Sequence, residues 1–345
     1  MQREAASIVV ELSLNGDTNS EKVQNDIVLA LQTIVPGWDE VKDIAIVPIQ
    51  GGQSNYMFSC SRLDKVDKTV MLRVYGHGNE SYYDRQDEID IFRQLARCNI
   101  GIGLIGTFGN GRIEKFINGR SLTALDVRKP ELLVKIAQKF RQLHSLDIAI
   151  DKKPRLMDTL DSWLNLAKST ITPKPVDLNS ISDALTRLKS YLSTISSPVV
   201  FCHNDLNYSN IMLTHDTNDI IFIDFEFGHY NPRGFDLGNY FGEWCYFMHG
   251  PPIEVGDPLT YPSVDQQRQF CKAYLSQTAS EQEIEQLRME ANVYTLAAHL
   301  YWAVWAIAQS PKSTKEFNYF AYGIGRWQLY QAQENSIVNM QQNYK

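Results

Sequence analysis

The sequence predicts an α+β fold of two lobes, a small β-rich N-terminal lobe and a larger, mainly helical C-terminal lobe. Three observations lead there. At 345 residues the chain is long for one hydrophobic core and short for three. Between Ile44 and Ile117, short runs of β-branched and aromatic residues alternate with turn residues. From Pro130 onward the apolar residues fall at helical spacing.

Taken in order, residues 1–20 are polar and are expected to form a flexible N-terminus. Glu21–Ile34 reads as an amphipathic helix closed by Pro36-Gly37. Strands are expected at Ile44–Ile49, Tyr56–Cys60 and Val70–Tyr75, then a helix from Tyr83 to Arg97 with Ile89, Phe92 and Leu95 on one face. Leu104–Phe108 and Arg112–Ile117 flank Asn110-Gly111, a strong hairpin signal. This first lobe spans 21–117, and a hinge near Lys115–Arg120 opens the second, 118–345. There, Leu132–His144, Thr159–Ala167 and Ile181–Leu192 look amphipathic. A β island follows at Val199–Cys202, Ile211–Leu213 and Ile220–Ile223, with a turn at Asp216–Asn218. Helices resume to the end, with capping boxes at Ser280/Glu283 and Ser313/Glu316.

Composition is that of a globular protein, 43% hydrophobic and 21% charged. The formal net charge of −7 disfavours nucleic acid, which needs a basic surface. The five cysteines are scattered without a CxxC pair, which disfavours a zinc cluster and reads as buried thiols in a reducing compartment. The first residues lack the apolar core of a signal peptide. The most apolar helix candidate, Tyr294–Ile307, is interrupted by His299 and falls short of the roughly 20 apolar residues of a membrane span. A cytoplasmic protein without a membrane span is expected.

Gly101, Gly103 and Gly106 fit G-x-G-x-x-G, but a helix precedes them and a strand follows, the reverse of a dinucleotide site. No P-loop motif occurs. The informative stretch is His203-Asn204-Asp205, continuing to Asn210, with the skeleton H-x-D-x-x-x-x-N between two apolar runs. Ile223-Asp224-Phe225-Glu226 follows one hairpin later. Phosphoryl transfer needs a group to orient a hydroxyl nucleophile and oxygen ligands to hold Mg²⁺ on the phosphates. Asp205 is placed to accept the alcohol proton, and Asn210 and Asp224 are hard oxygen ligands. His203 is read as a buttress of this loop. Upstream, Gly51, Gly52, Ser54 and Asn55 lie between strands, where backbone and hydroxyl donors can cover phosphates. Arg73 sits mid-strand as a phosphate-binding cation, and Glu88 in the next helix is its candidate partner.

At these residues the sequence resembles the choline/ethanolamine kinase family, and plant-type choline kinases in particular. The likeness runs from about Ile46 to Tyr330. It is carried by Gly51–Asn55, Leu72–Gly76, Cys202–Asp205, Ile223–Glu226, the block Gly234–Trp244, Ala298–Trp305 and Glu316-Phe317. The resemblance implies a protein-kinase-like fold, with an ATP-binding first lobe and a catalytic, substrate-binding second lobe. It also implies ATP and Mg²⁺, an amino-alcohol substrate, and a homodimer as in many relatives. It makes Asp205 the base, and Asp224 the metal ligand with Asn210 and Glu226. Arg73 and Asn207 contact the nucleotide, and Lys115, Phe116, Ile117 and Arg120 form the adenine hinge. Asp236 fixes the catalytic loop and Glu243 shapes the amine site. Departures are Asn207 for a common Gln, Phe227 for a common Tyr, and Met248 for a common aromatic residue.

A quaternary ammonium donates no hydrogen bond and is held by aromatic faces and nearby carboxylates. Trp302 and Trp305, three apart on a helix, with Phe317 and Tyr322, make a candidate box beside Glu243. Without the resemblance, such a stripe reads as core. With it, phosphorylation of choline is the expected reaction and phosphorylation of ethanolamine the alternative. A protein kinase is disfavoured by the lack of D-F-G and A-P-E after Asp224. A catalytically inactive, kinase-like binding protein is disfavoured by the intact Asp205, Asn210, Asp224 and Arg73.

Overall fold

The computed structural model describes residues 6–8, 20–49, 55–65, 68–75, 85–98, 100–170, 176–246, 254–313 and 317–344. The chain forms two compact units, residues 1–119 with 214–216, and residues 120–213 with 217–345. The division falls two residues beyond the expected 117/118, and Thr214–Asp216 joins the first unit.

The first unit contains β1 (Ala6–Ile8), α1 (Glu21–Ile34), β2 (Ile44–Ile49), β3 (Asn55–Arg62), β4 (Thr69–Tyr75), α2 (Arg85–Arg97), β5 (Leu104–Phe108) and β6 (Gly111–Lys115). The strands make one sheet in the order β1-β5-β6-β4-β3-β2. Ser20 caps α1, and Val23, Ile27, Leu31 and Ile34 form its buried face against Phe58, Leu72 and Ile113 of the sheet. β1 corrects the expectation of a flexible N-terminus at Ala6–Ile8. These residues pair in parallel with Gly106–Phe108, giving backbone partners to a strand that would otherwise be an open edge. The hairpin loop is Gly109-Asn110, because Phe108 pairs with Gly111, one residue before the turn read from Asn110-Gly111. β6 ends at Lys115, so Phe116 and Ile117 leave the strand expected to include them. The Gly101–Gly106 run lies between α2 and β5, the helix-to-strand order read from the sequence.

The second unit begins with β7 (Gly119–Ser121), which starts on the last residue of the first. It continues with α3 (Pro130–His144), α4 (Leu156–Thr170), α5 (Leu178–Leu192), β8 (Val199–Cys202), β9 (Ile211–Thr214), β10 (Ile220–Phe222) and β11 (His229–Pro232). Then come α6 (Arg233–Glu243), α7 (Val264–Leu275), α8 (Glu281–Gln309) and α9 (Tyr319–Tyr344). β8 pairs antiparallel with β11, and β9 with β10. The Ser280 capping box with Glu283 is present; Glu316 of the second expected box lies outside the described residues. α8 is buried on nearly every side from Leu287 to Gln309, as a central helix must be, with α4, α6, α7 and α9 around it.

α6 approaches α8 through glycines four residues apart. A Cβ on Gly238 would lie 2.5 Å from the backbone of Tyr294 and Thr295 and 2.7 Å from the Ala291 carbonyl. Backbone cannot rotate aside as a side chain can. Gly238→Ala is therefore expected to destabilise the protein by about 1–3 kcal/mol. A lowered urea midpoint checks this; an unchanged one would mean that the two helices are not in tight contact.

Candidate active site

The loop from His203 to Asn210 joins β8 to β9 and is held from beneath by one carboxylate. Asp236, fully buried on α6, accepts the backbone N–H of His203 at 2.7 Å on Oδ2 and that of Asn204 at 2.8 Å on Oδ1. His144 at the end of α3 reaches Asp236 Oδ2 at 3.1 Å through Nε2 and meets the Tyr274 hydroxyl at 2.9 Å through Nδ1. Asn204 has φ of 65°, left-handed backbone that Asn tolerates better than most residues. Its side chain keeps it there: Nδ2 donates to the Phe227 carbonyl at 2.8 Å, and Oδ1 accepts from Asn231 at 2.8 Å.

His203 spans from this loop to the next. Its Nε2 lies 2.8 Å from the Ile223 carbonyl, and its Nδ1 lies 3.3 Å from the Asp205 backbone N–H. These partners require a proton on Nε2 and a lone pair on Nδ1, hence a neutral ring. Burial, partly offset by the Asp236 charge, lowers the His203 pKa and favours the same form. His203 therefore links the two loops. Asp224 follows Ile223 and also has φ of 65°, so the chain turns out of the strand direction two residues after β10.

Four carboxyl groups bear on one another here. Burial raises the Asp205 pKa well above the ordinary carboxylate range, and Glu243, Glu226 and Asp224 raise it further by repulsion. Asn210 holds Asp205 through Nδ2, at 3.0 Å from its carbonyl and 3.4 Å from Oδ2, which leaves Asn210 Oδ1 as the oxygen for another partner. Asp224, Glu226 and Asn210 thus present oxygen donors of the kind a hard divalent cation takes. The mutual repulsion of the acids is what such a cation would relieve. Asn207 caps the short turn Tyr208–Asn210, with Oδ1 accepting from Ser209 N at 2.9 Å, so that oxygen is committed within the loop.

The aromatic residues expected around an ammonium group meet in a connected series. Trp302 and Trp305 are edge to face at 5.3 Å, Trp305 meets Tyr319 at 5.5 Å, and Tyr319 meets Phe317 at 4.7 Å. Phe317 reaches Tyr322 at 5.6 Å, and Phe227 stands edge to face with Trp302 at 5.3 Å. Glu243 joins this group indirectly. It is hydrogen-bonded to Arg326, a fully buried residue of α9. Arg326 Nε also donates to the Tyr322 hydroxyl at 2.9 Å, and its guanidinium lies 4.3 Å from the centre of the Tyr246 ring. Burial works against the Arg326 charge, and Glu243, Tyr322 and Tyr246 restore it.

Sequence reasoning missed Arg326 and Tyr319. Arg326 carried a signal, a lone cation one helical turn after Tyr322 in an otherwise apolar stretch. Tyr319 is one more aromatic between Phe317 and Tyr322, with nothing to mark it.

Within the first unit, Arg73 is buried on the central strand β4, opposite Arg112 of β6. Its Nε lies 3.6 Å from Glu114 Oε1, and Arg112 Nε donates to Glu114 Oε2 at 3.2 Å. Glu114 is thus one acidic neighbour of Arg73; the side chain of Glu88, its expected partner, lies outside the described residues. Gly51, Gly52, Ser54 and the side chain of Asn55 also lie outside them, as does Met248. Lys115 and Phe116 are exposed at the end of β6, and Ile117 is half-buried. In the second unit Arg120 is bound to Asp126 at 2.6 Å.

A loop braced by a buried aspartate, a second aspartate held by an adjacent Asn, and an acidic turn one hairpin later are the arrangement of a small-molecule kinase of protein-kinase-like fold. The profile of the choline/ethanolamine kinase family matches residues 46–331. The chain belongs to that family. It is 33% identical over 328 residues to the Arabidopsis thaliana protein named probable choline kinase 2, covering 92% of this chain and 94% of that one. It is 32% identical to the probable ethanolamine kinase of the same plant, covering 89% and 85%. Among solved structures, the choline kinase of Cryptosporidium parvum superposes with a TM-score of 0.80 at 26% identity, covering 93% of this chain and 97% of that one. Among the described residues no helix is long and apolar enough to cross a membrane.

Proposed function

We propose that the chain is a choline kinase, transferring the γ-phosphoryl group of MgATP to the choline hydroxyl. Asp205 takes the hydroxyl proton as the alcohol oxygen bonds to the γ-phosphorus. The bond from that phosphorus to the β–γ bridging oxygen breaks, and phosphocholine and ADP leave. Burial, which favours the protonated form, makes Asp205 a better proton acceptor than a solvated carboxylate. Asp224, with Asn210 and Glu226, would hold Mg²⁺, which supplies charge neutralisation at the phosphates when bound. Arg73 is the phosphate-binding cation of the first unit, the ATP-binding lobe, with Gly51, Gly52, Ser54 and Asn55. Lys115–Ile117 and Arg120 form the adenine hinge, and Asn207 lies near the nucleotide. A cytoplasmic homodimer completes this reading, with the family resemblance as its support.

One observation carries the choice of choline. Glu243, the carboxylate expected at the amine, already has Arg326 as its partner. The attraction left for an ammonium group comes mainly from the faces of Trp302, Trp305 and Tyr319. Faces suit a quaternary cation, whereas a primary ammonium needs acceptors for its three N–H groups. The names of the plant choline kinases among the relatives point the same way. Steady-state kinetics with both alcohols test this. Choline is expected to show the higher kcat/KM; a preference for ethanolamine would assign the chain to that substrate instead.

A further inference from the structure

Asn239 lies in the second turn of α6, between Asp236 and Glu243, and is fully buried. Its side chain faces two structures that have no covalent connection nearby. Oδ1 accepts the indole N–H of Trp302 at 2.7 Å, and Nδ2 donates to the carbonyl of Leu206 at 3.4 Å. Leu206 directly follows Asp205. The indole nitrogen can only donate and the carbonyl can only accept, so the amide has one orientation and each end is used. No other side chain of this size offers one acceptor and one donor in that arrangement. The contact of Gly238 with the α8 backbone holds α6 at the distance the Trp302 bond requires.

We propose that Asn239 is a positioning residue that sets the separation between the Asp205 loop and the Trp302 face. The alcohol hydroxyl then meets the base when its ammonium group meets the ring. This rests on the choline kinase reading for its substrate, but the hydrogen bonds stand without it. Asn239 touches neither reactant. Removing it frees both the indole and the Leu206 carbonyl, and the loss falls on use of the alcohol and spares ATP.

A double-mutant cycle with Asn239→Ala and Trp302→Phe tests the proposal, the latter keeping an aromatic face without the N–H. Each single variant is expected to lower kcat/KM for choline about tenfold, as befits a buried polar group left unpaired. The KM for ATP should stay within about twofold, and the double variant should lose little beyond either single one. The indole ¹⁵N–H resonance of Trp302, identified by its absence in Trp302→Phe, should shift in Asn239→Ala. Should Asn239→Ala fail to fold, Asn239→Ser takes its place with the same expectations. Multiplying losses, an equal loss in ATP use, or an unmoved resonance would overturn the proposal. If the wild-type protein phosphorylates no amino alcohol, the substrate reading fails, and the resonance alone still decides for or against Asn239.

Discussion

Asp205→Ala is expected to lower kcat by about a thousandfold, with the affinity for ATP almost unchanged. In the proposed reaction this carboxylate accepts the hydroxyl proton, and no neighbour is placed to replace it. In the proposed reaction Glu226 and Asp224 would be engaged with Mg²⁺, and Glu243 is tied to Arg326. Asn210 would lose its contact with the Asp205 side chain but keep the backbone carbonyl at 3.0 Å, so the loop should hold its shape. Single-turnover phosphate transfer gives the rate, and fluorescent-nucleotide titration gives the ATP affinity. Near-normal turnover would remove Asp205 from the role of base.

The second large effect lies beneath the loop. Asp236→Ala strands the buried N–H groups of His203 and Asn204 and leaves His144 without its carboxylate. An unsatisfied buried donor costs about 1–3 kcal/mol, so a total near 3 kcal/mol or more is expected. Asn204 is held at positive φ by these bonds, and its release lets Asp205 leave its place. Both stability and kcat should fall. Asp236→Asn, of the same shape and with one oxygen still able to accept, should lose less of each. A urea midpoint and a kcat close to wild type in Asp236→Ala would show that the loop does not depend on this anchor.

The elements the sequence revealed are those whose local pattern and tertiary packing agree. The α1 span, β2, β5 and β8 match their expected bounds because each has a clear apolar period closed by turn or capping residues. β1, β7 and β11 did not show, since three or four residues carry no period and acquire their state from a partner elsewhere in the chain. The hairpin was placed one residue late because register is fixed by the β5–β6 pairing as well as by turn propensity.

The site divides along the same line. H-x-D-x-x-x-x-N and the acidic turn after it are local, and His203 links the two through the Ile223 carbonyl. The partners that hold them are distant: His144 is 92 residues from Asp236, Arg326 is 83 from Glu243, and Trp302 is 63 from Asn239. The packing of α6 and α9 on α8 brings Trp302 to Asn239 and Arg326 to Glu243, and the end of α3 brings His144 to Asp236. Arg73 adds a case from the first unit, since Glu114 of the neighbouring strand lies close to it and no local pattern marks that contact.

The reaction itself can be observed directly by ³¹P NMR of the purified protein with ATP, Mg²⁺ and choline. A phosphomonoester resonance matching phosphocholine should grow as ADP forms, and should fail to appear without Mg²⁺ or with Asp205→Ala. An ATP spectrum that stays unchanged with choline and with ethanolamine alike would contradict the account.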